Sequence, residues 1–182
     1  MKIEKKELFE VLNGFKKEYQ HITDAERYEE VKFFTKSGAP VDRLMAICSR
    51  GGKDYLVDHT EDILKEVFEA DELCPNLGCV TPATFRIGDK WGMVNANGDI
   101  ILEAKYDSVK PDANDYVFLT LDDKEGFIAG GYLIEPKFDS VEIGADEYIE
   151  VTLNGVRGYI DENGEFSIDR NEAYYHYMMF LD

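Results

Sequence analysis

Cations are scarce in this chain. Its 182 residues hold 20 Lys and Arg against 38 Asp and Glu, a formal net charge of -18 at pH 7. An acidic surface of this kind repels phosphate, so direct binding to nucleic acid or to anionic lipid is disfavoured. No apolar run approaches the roughly 20 residues of a membrane span. Met1-Lys2-Ile3-Glu4-Lys5-Lys6 leads into an amphipathic pattern and not into an apolar signal core, which reads as a cytoplasmic protein without membrane association. Cysteine is limited to Cys48, Cys74 and Cys79. A set so sparse and odd in number excludes a disulfide scaffold and suits a reducing compartment.

Signatures of chemistry are also missing. Arg50-Gly51-Gly52-Lys53-Asp54 lacks the upstream glycine and the following Ser or Thr of a phosphate-binding loop. Cys74 and Cys79, with His59 or His21, lack the close pairing of a zinc site. Asp161-Glu162-Asn163-Gly164-Glu165 has calcium-like residues but the spacing of a hairpin turn. His176 has no nucleophile placed beside it by sequence, and carboxylates are too abundant for any two to be singled out as acid and base. No metal, no cofactor and no catalytic residue are expected, and the protein reads as a non-enzyme.

What is present is a repeat. Lys90-Trp91-Gly92-Met93-Val94, Lys124-Glu125-Gly126-Phe127-Ile128 and Val156-Arg157-Gly158-Tyr159-Ile160 are three versions of one pattern, their glycines 34 and 32 residues apart. Flanks recur with them, Lys105-Tyr106-Asp107-Ser108-Val109 against Lys137-Phe138-Asp139-Ser140-Val141. A fixed period of this length means one supersecondary unit stacked on its copies. Each unit reads as strand, turn, strand, turn, strand, beginning with 83–87, 113–121 and 145–153. Gly92, Gly126 and Gly158 are read as scaffold, where the absence of a side chain admits a close neighbour. Trp91 varies to Glu125 and Arg157; it is a core filler or, less simply, a partner anchor.

The first 79 residues read as helices. Leu8, Val11, Leu12, Phe15 and Tyr19 share a face over 2–20. Thr23 to Glu26 forms a capping box for a second helix containing Tyr28, Val31 and Phe34, and Pro40 opens a third over 41–48. Tyr55-Leu56-Val57 is a short strand or connector. Asp58 caps a fourth helix, with Ile63, Leu64, Val67 and Phe68 inward and an acidic face of Glu61, Asp62, Glu66 and Glu69 outward. Cys74 to Cys79 reads as a linker. The fold expected is therefore α+β: a helical domain over 1–79, then an array of three antiparallel β-hairpin or meander repeats over 80–182. The apolar tail 173–181 is docked on the repeat sheet or forms an exposed contact.

Lys90 to Ile101, followed by Lys105 to Val109, resembles the WG-repeat family of bacterial proteins over about residues 82–168. It departs from the family pattern where Glu125 and Arg157 replace the tryptophan and where Ala104 stands in the place of Pro136. The resemblance implies β-hairpin repeats and a binding role, with no catalytic residues to transfer.

Charge gives the functional expectation. Residues 1–53 carry 11 Lys/Arg against 9 Asp/Glu, whereas residues 54–182 carry 9 against 29. The reading is a non-catalytic binder of a protein with a basic surface, in its sharp form an inhibitor docked on a nucleic-acid enzyme, as an anti-CRISPR or toxin-immunity protein would be. Glu61, Asp62, Glu66, Glu69, Asp122, Asp123 and Trp91 are the candidate contact residues. The alternatives are a general repeat interaction module whose charge serves solubility, and an enzyme with an unrecognised site.

Overall fold

Runs of four to eight residues rich in Val, Ile, Phe and Tyr, punctuated by Gly, Asn and Asp, favour strands joined by tight turns. The structure, a computed structural model, describes residues 28–35, 44–60, 63–76, 83–112, 116–130, 132–144, 148–161 and 164–170. Among the described residues the regular elements are β-strands, and they form four sheets of four. The first holds β1 (Glu30–Thr35), β2 (Leu44–Arg50), β3 (Lys53–Thr60) and β4 (Ile63–Ala70). The second holds β5 (Glu72–Pro75), β6 (Ala83–Ile87), β7 (Lys90–Val94) and β8 (Ile100–Tyr106). The third holds β9 (Ser108–Pro111), β10 (Val117–Leu121), β11 (Lys124–Ala129) and β12 (Tyr132–Phe138). The fourth holds β13 (Ser140–Ile143), β14 (Ile149–Leu153), β15 (Val156–Ile160) and β16 (Phe166–Ser167). In every sheet the strands lie side by side in chain order, and paired neighbours such as β1 and β2, β6 and β7, β10 and β11 or β14 and β15 run antiparallel, so each sheet is a meander.

The expected helical domain is overturned wherever its residues are described, so the described fold is all-β and not α+β. Helix 2–20 lies outside the described residues. The second helix is β1, the third is β2 and the fourth is β4. Each error has a physical cause. Tyr28 and Val31 stand three apart because a bend at Glu29 separates Tyr28 from the strand. Met45, Ala46, Ile47 and Cys48 are each at most 2% exposed, so β2 is covered on both faces, and a fully buried strand shows no alternation to distinguish it from a helix. In β4, Phe68 pairs with Leu56 and Glu66 with Val57, leaving Val67 as an extra residue. That bulge turns the consecutive Val67 and Phe68 towards one core and imitates helical spacing.

The chain divides into two compact units, Met1–Ala104 and Lys105–Asp182. In the first, Met45, Ile47 and Leu56 of the first sheet share a core with Leu73, Phe85 and Val94 of the second, and Phe68 meets Phe85 edge-on at 4.7 Å. In the other, Phe127 and Phe138 of the third sheet share a core with Val141, Ile149, Val151 and Ile160 of the fourth. The boundary expected near residue 80 falls among residues 77–82, outside the described ones, and the strands on either side of it, β5 and β6, pair with each other.

The repeat seen in the sequence is a three-strand unit, but the sheet is a four-strand one. The fourth member comes from the Lys-aromatic-Asp-Ser-Val flank: Tyr106 closes β8, Asp107 makes a bend, and Ser108 opens β9 of the next sheet. Sequence copy and sheet are thus out of phase, and the chain ties each sheet to its successor.

Candidate interaction surface

The bend that opens each sheet is built in one way four times. The amide nitrogen of Glu29, Asp71, Asp107 and Asp139 donates to the carbonyl of Ser49, Arg86, Thr120 and Thr152 respectively, at 2.7–3.0 Å. The carboxylate of the same residue accepts an amide from the following hairpin turn: Gly51 on Glu29 at 3.3 Å, Gly88 on Asp71 at 2.7 Å, Asp122 on Asp107 at 2.8 Å and Gly155 on Asp139 at 2.8 Å. The residue before each acid, Tyr28, Ala70, Tyr106 or Phe138, is at most 2% exposed. Tyr28-Glu29-Glu30-Val31 is therefore the counterpart of Tyr106-Asp107-Ser108-Val109, and the first sheet is a further copy of the unit that its sequence only faintly shows.

Ion pairs brace the bends, and Lys53–Asp71 and Lys124–Asp139 occupy equivalent positions. Lys53 engages Asp71, and Lys124 Nζ lies 2.5 Å from Asp139. Lys105 Nζ reaches Glu135 at 2.7 Å and Lys137 Nζ reaches Glu165 at 3.4 Å. The tyrosines add a hydroxyl: Tyr106 donates to Glu135 at 2.9 Å, as Tyr28 donates to Glu66 at 2.5 Å. Lys105 holds Glu135 below the usual glutamate range, against the opposing effect of burial and with help from Tyr106. Asp139 is held below the aspartate range by Lys124 and then by the Gly155 amide, and Asp71 by Lys53 and then by the Gly88 amide. A depressed folded-state pKa gives stability that is present above the unfolded value and is lost as pH falls through the folded one. Urea unfolding should therefore show stability declining from about pH 4 downwards, with a shallower acid limb in Asp71→Asn and Asp139→Asn. These pairs are solvent-exposed, so the effect should shrink with added salt.

The three repeated glycines face backbone. A Cβ on Gly92 would lie closer than 3.0 Å to Leu102 O, Phe85 Cζ and Ala104 N; on Gly126, to Ile134 O, Glu135 C and Pro136 N; on Gly158, to Ser167 O and the Phe166 ring. The cause is visible in the register: Glu125 pairs with Phe138 and Phe127 with Ile134, so Glu135, Pro136 and Lys137 bulge opposite Gly126 alone. Proline suits such a bulge because its nitrogen has no hydrogen to leave unpaired. Ala104 N takes the corresponding place at Gly92.

The candidate contact residues scatter. Glu61 and Asp62 lie outside the described residues. Glu66 is half-buried, accepting the Tyr28 hydroxyl and pairing with Arg50 at 3.2 Å. Arg50 in turn lies over the rings of Tyr28 and Tyr55. Glu69 is exposed on β4. Among the described residues there is no acidic helix face, because Ile63–Ala70 is a strand. Trp91 is half-buried, paired across the sheet with Arg86, whose guanidinium lies 5.9 Å from its ring centre. Asp122 and Asp123 are exposed and both left-handed, with φ of 51° and 59°. Equivalent turns use Gly51-Gly52 and Asn154-Gly155.

Sequence reasoning placed the third strand of each unit but missed the exposed apolar start that two of them present. Ile100 and Ile101 at the start of β8 are 45% and 47% exposed, and Tyr132 and Leu133 at the start of β12 are 58% and 44% exposed. Both strands are last in their sheets. The signal was available: each pair sits at the same distance before the Lys-aromatic-Asp flank.

Among the described residues no group of three or more His, Cys, Asp or Glu is arranged to hold a metal ion, and no helix is long and apolar enough to cross a membrane. No curated protein and no solved structure matches the chain. A family model, the WG containing repeat, matches residues 91–124, from Trp91 in β7 to Lys124 at the start of β11. Residues 91–124 thus match a WG-containing repeat, and among the described residues the four-strand meander occurs four times.

Proposed function

We propose that this protein is a non-catalytic interaction module of the cytoplasm that docks a protein with a basic surface. The turn Asp122-Asp123 carries the reading. A left-handed pair is most easily filled by Asn-Gly, as at Asn154-Gly155, because Gly has no Cβ to strain. Two aspartates there place like charges side by side in strained backbone, beside a third, Asp107, whose carboxylate already accepts the Asp122 amide. The equivalent turns at Gly51-Gly52 and Asn154-Gly155 form without those charges, and their presence here fits a contact role better than a structural one. The sharper form is an acidic inhibitor covering the basic groove of a nucleic-acid enzyme, of anti-CRISPR or toxin-immunity type; the excess of 29 Asp/Glu over 9 Lys/Arg in residues 54–182 supports it.

Association with a panel of nucleases of basic surface tests both forms. Steered encounter predicts an association rate that falls steeply with salt while dissociation changes little. The double variant Asp122→Asn with Asp123→Gly should be more stable, by about 0.5–1 kcal/mol, yet bind more slowly. Binding indifferent to salt and to this variant would leave charge as a solubility device.

A further inference from the structure

The ion pair beside the Asp107 bend has a charge-reversed counterpart beside the Asp71 bend. Lys105, the residue before Tyr106, pairs with Glu135 in the third sheet. Glu135 stands three residues before Phe138, and Glu103 stands three residues before Tyr106, so Glu103 is its counterpart in the second sheet. The counterpart of Lys105 and Lys137, the residue before the buried position that precedes each bend acid, is Glu69. Where Lys105 opposes Glu135, the corresponding positions here are two glutamates, both exposed. Ala70 stands where Tyr106 supplies a hydroxyl to Glu135, so that donor is absent as well. Lys53 is the nearby cation, and its principal partner is Asp71, with Glu69 a weaker influence.

Beside this acidic gap lies the apolar start of β8. Asp99, Ile100, Ile101 and Glu103 are exposed in succession with only Leu102 buried, on the last strand of its sheet. An edge strand that presents apolar and acidic side chains is a template for a further strand whose side chains are apolar and basic. β12 has a comparable apolar start, Tyr132-Leu133, but its glutamate is already held by Lys105 and Tyr106. From this we infer that β8 is the docking edge for an extended basic segment of a partner protein, added as a fifth strand, with its apolar side chains on Ile100 and Ile101 and a lysine or arginine between Glu69 and Glu103. A second copy of this chain fits poorly, since each copy carries a net charge of -18. The inference rests on the reading of a basic protein partner and assigns it a place.

The experiment uses the full chain and a capped peptide of about eight residues in which two adjacent Val are flanked by Lys, because adjacent side chains such as Ile100 and Ile101 face opposite sides of a sheet. A second peptide of the same sequence is N-methylated along the backbone and cannot add to an edge. Backbone amide shifts should move at Asp99 to Glu103, and the N-methylated peptide should leave them unmoved. Glu69→Lys restores the missing lysine within the chain, and Ile101→Lys alters an already exposed side chain, so both should fold with an unchanged or raised Tm. Each should weaken the peptide by about tenfold or more. Equal binding of the N-methylated peptide, wild-type affinity in Glu69→Lys and Ile101→Lys, or no binding at millimolar peptide would overturn the assignment. Shifts centred on Asp122 and Asp123 with 99–103 silent would overturn it too, while leaving the basic-partner reading in place.

Discussion

Gly126→Ala is expected to unfold the third sheet although it adds a single carbon. The three atoms that a Cβ would meet, Ile134 O, Glu135 C and Pro136 N, are all main chain, and all within 3.0 Å. A flexible side chain would swing aside; the bulge at Glu135 to Lys137 cannot, because Phe138 beyond it is fully buried and Glu135 is tied to both Lys105 and Tyr106. Overpacking of an interior costs typically about 1–3 kcal/mol, and this site belongs at the upper end or beyond. For a unit of this size that is a fall in Tm of roughly 10 °C or more. Gly126→Val should be worse. Glu125→Ala, one residue away, is the comparison: its carboxylate accepts the Val141 amide at 2.7 Å, and losing that bond should cost about 1–3 kcal/mol without steric conflict. Thermal unfolding of the variants checks the order, and a Gly126→Ala protein melting with wild type would remove the steric account.

The glycine pattern was legible in the sequence because the contact behind it is local: Gly126 meets residues eight to ten positions on, within one copy, and so the constraint repeats wherever the copy does. The four-strand sheet was less legible. Its first strand is supplied by the tail of the preceding copy, so a repeat cut at the glycine shows three strands. The first sheet was misread for a different reason. Tyr55 and Leu56 stand where the later copies have glycine and its neighbour, β4 resolves its register with a one-residue bulge at Val67, and β2 is apolar on both faces. None of these leaves a period-two pattern, and strand pairing over long sequence distances leaves no local trace.

The candidate surface was legible only as charge. Composition finds the excess of acid, but cannot say that Asp71, Glu72 and Asp139 are engaged by Lys53, Arg86 and Lys124 while Asp122 and Asp123 stand exposed in a turn. Aligning the bend residues, Glu69-Ala70-Asp71 with Lys105-Tyr106-Asp107, is what exposes the reversed charge at Glu69. That alignment needs the bend to be recognised first, and the bend is a hydrogen-bond pattern, not a residue identity.

Tyr28→Ala decides whether the first sheet is a true copy of the later ones. A tyrosine near the start of an amphipathic helix, the reading that residues 23–37 invite, would lose little on truncation. In the structure Tyr28 is 2% exposed, lies with its ring beneath the Arg50 guanidinium at 5.4 Å and near Tyr55 at 6.3 Å, and donates its hydroxyl to Glu66. It precedes the Glu29 bend as Phe138 precedes the Asp139 bend, and Phe138 is fully buried. Truncating a buried aromatic costs about 3–5 kcal/mol, so Tyr28→Ala and Phe138→Ala should destabilise their own units by similar amounts. Tyr28→Phe separates ring from hydroxyl: it keeps the packing and should cost only about 1 kcal/mol, the net worth of one hydrogen bond. Hydrogen exchange locates the damage, since loss of protection in β1 to β4 with β9 to β15 unaffected marks the first sheet as the element that Tyr28 closes. A Tyr28→Ala protein as stable as wild type would return residues 28–70 to the status of an unrelated neighbour of the repeats.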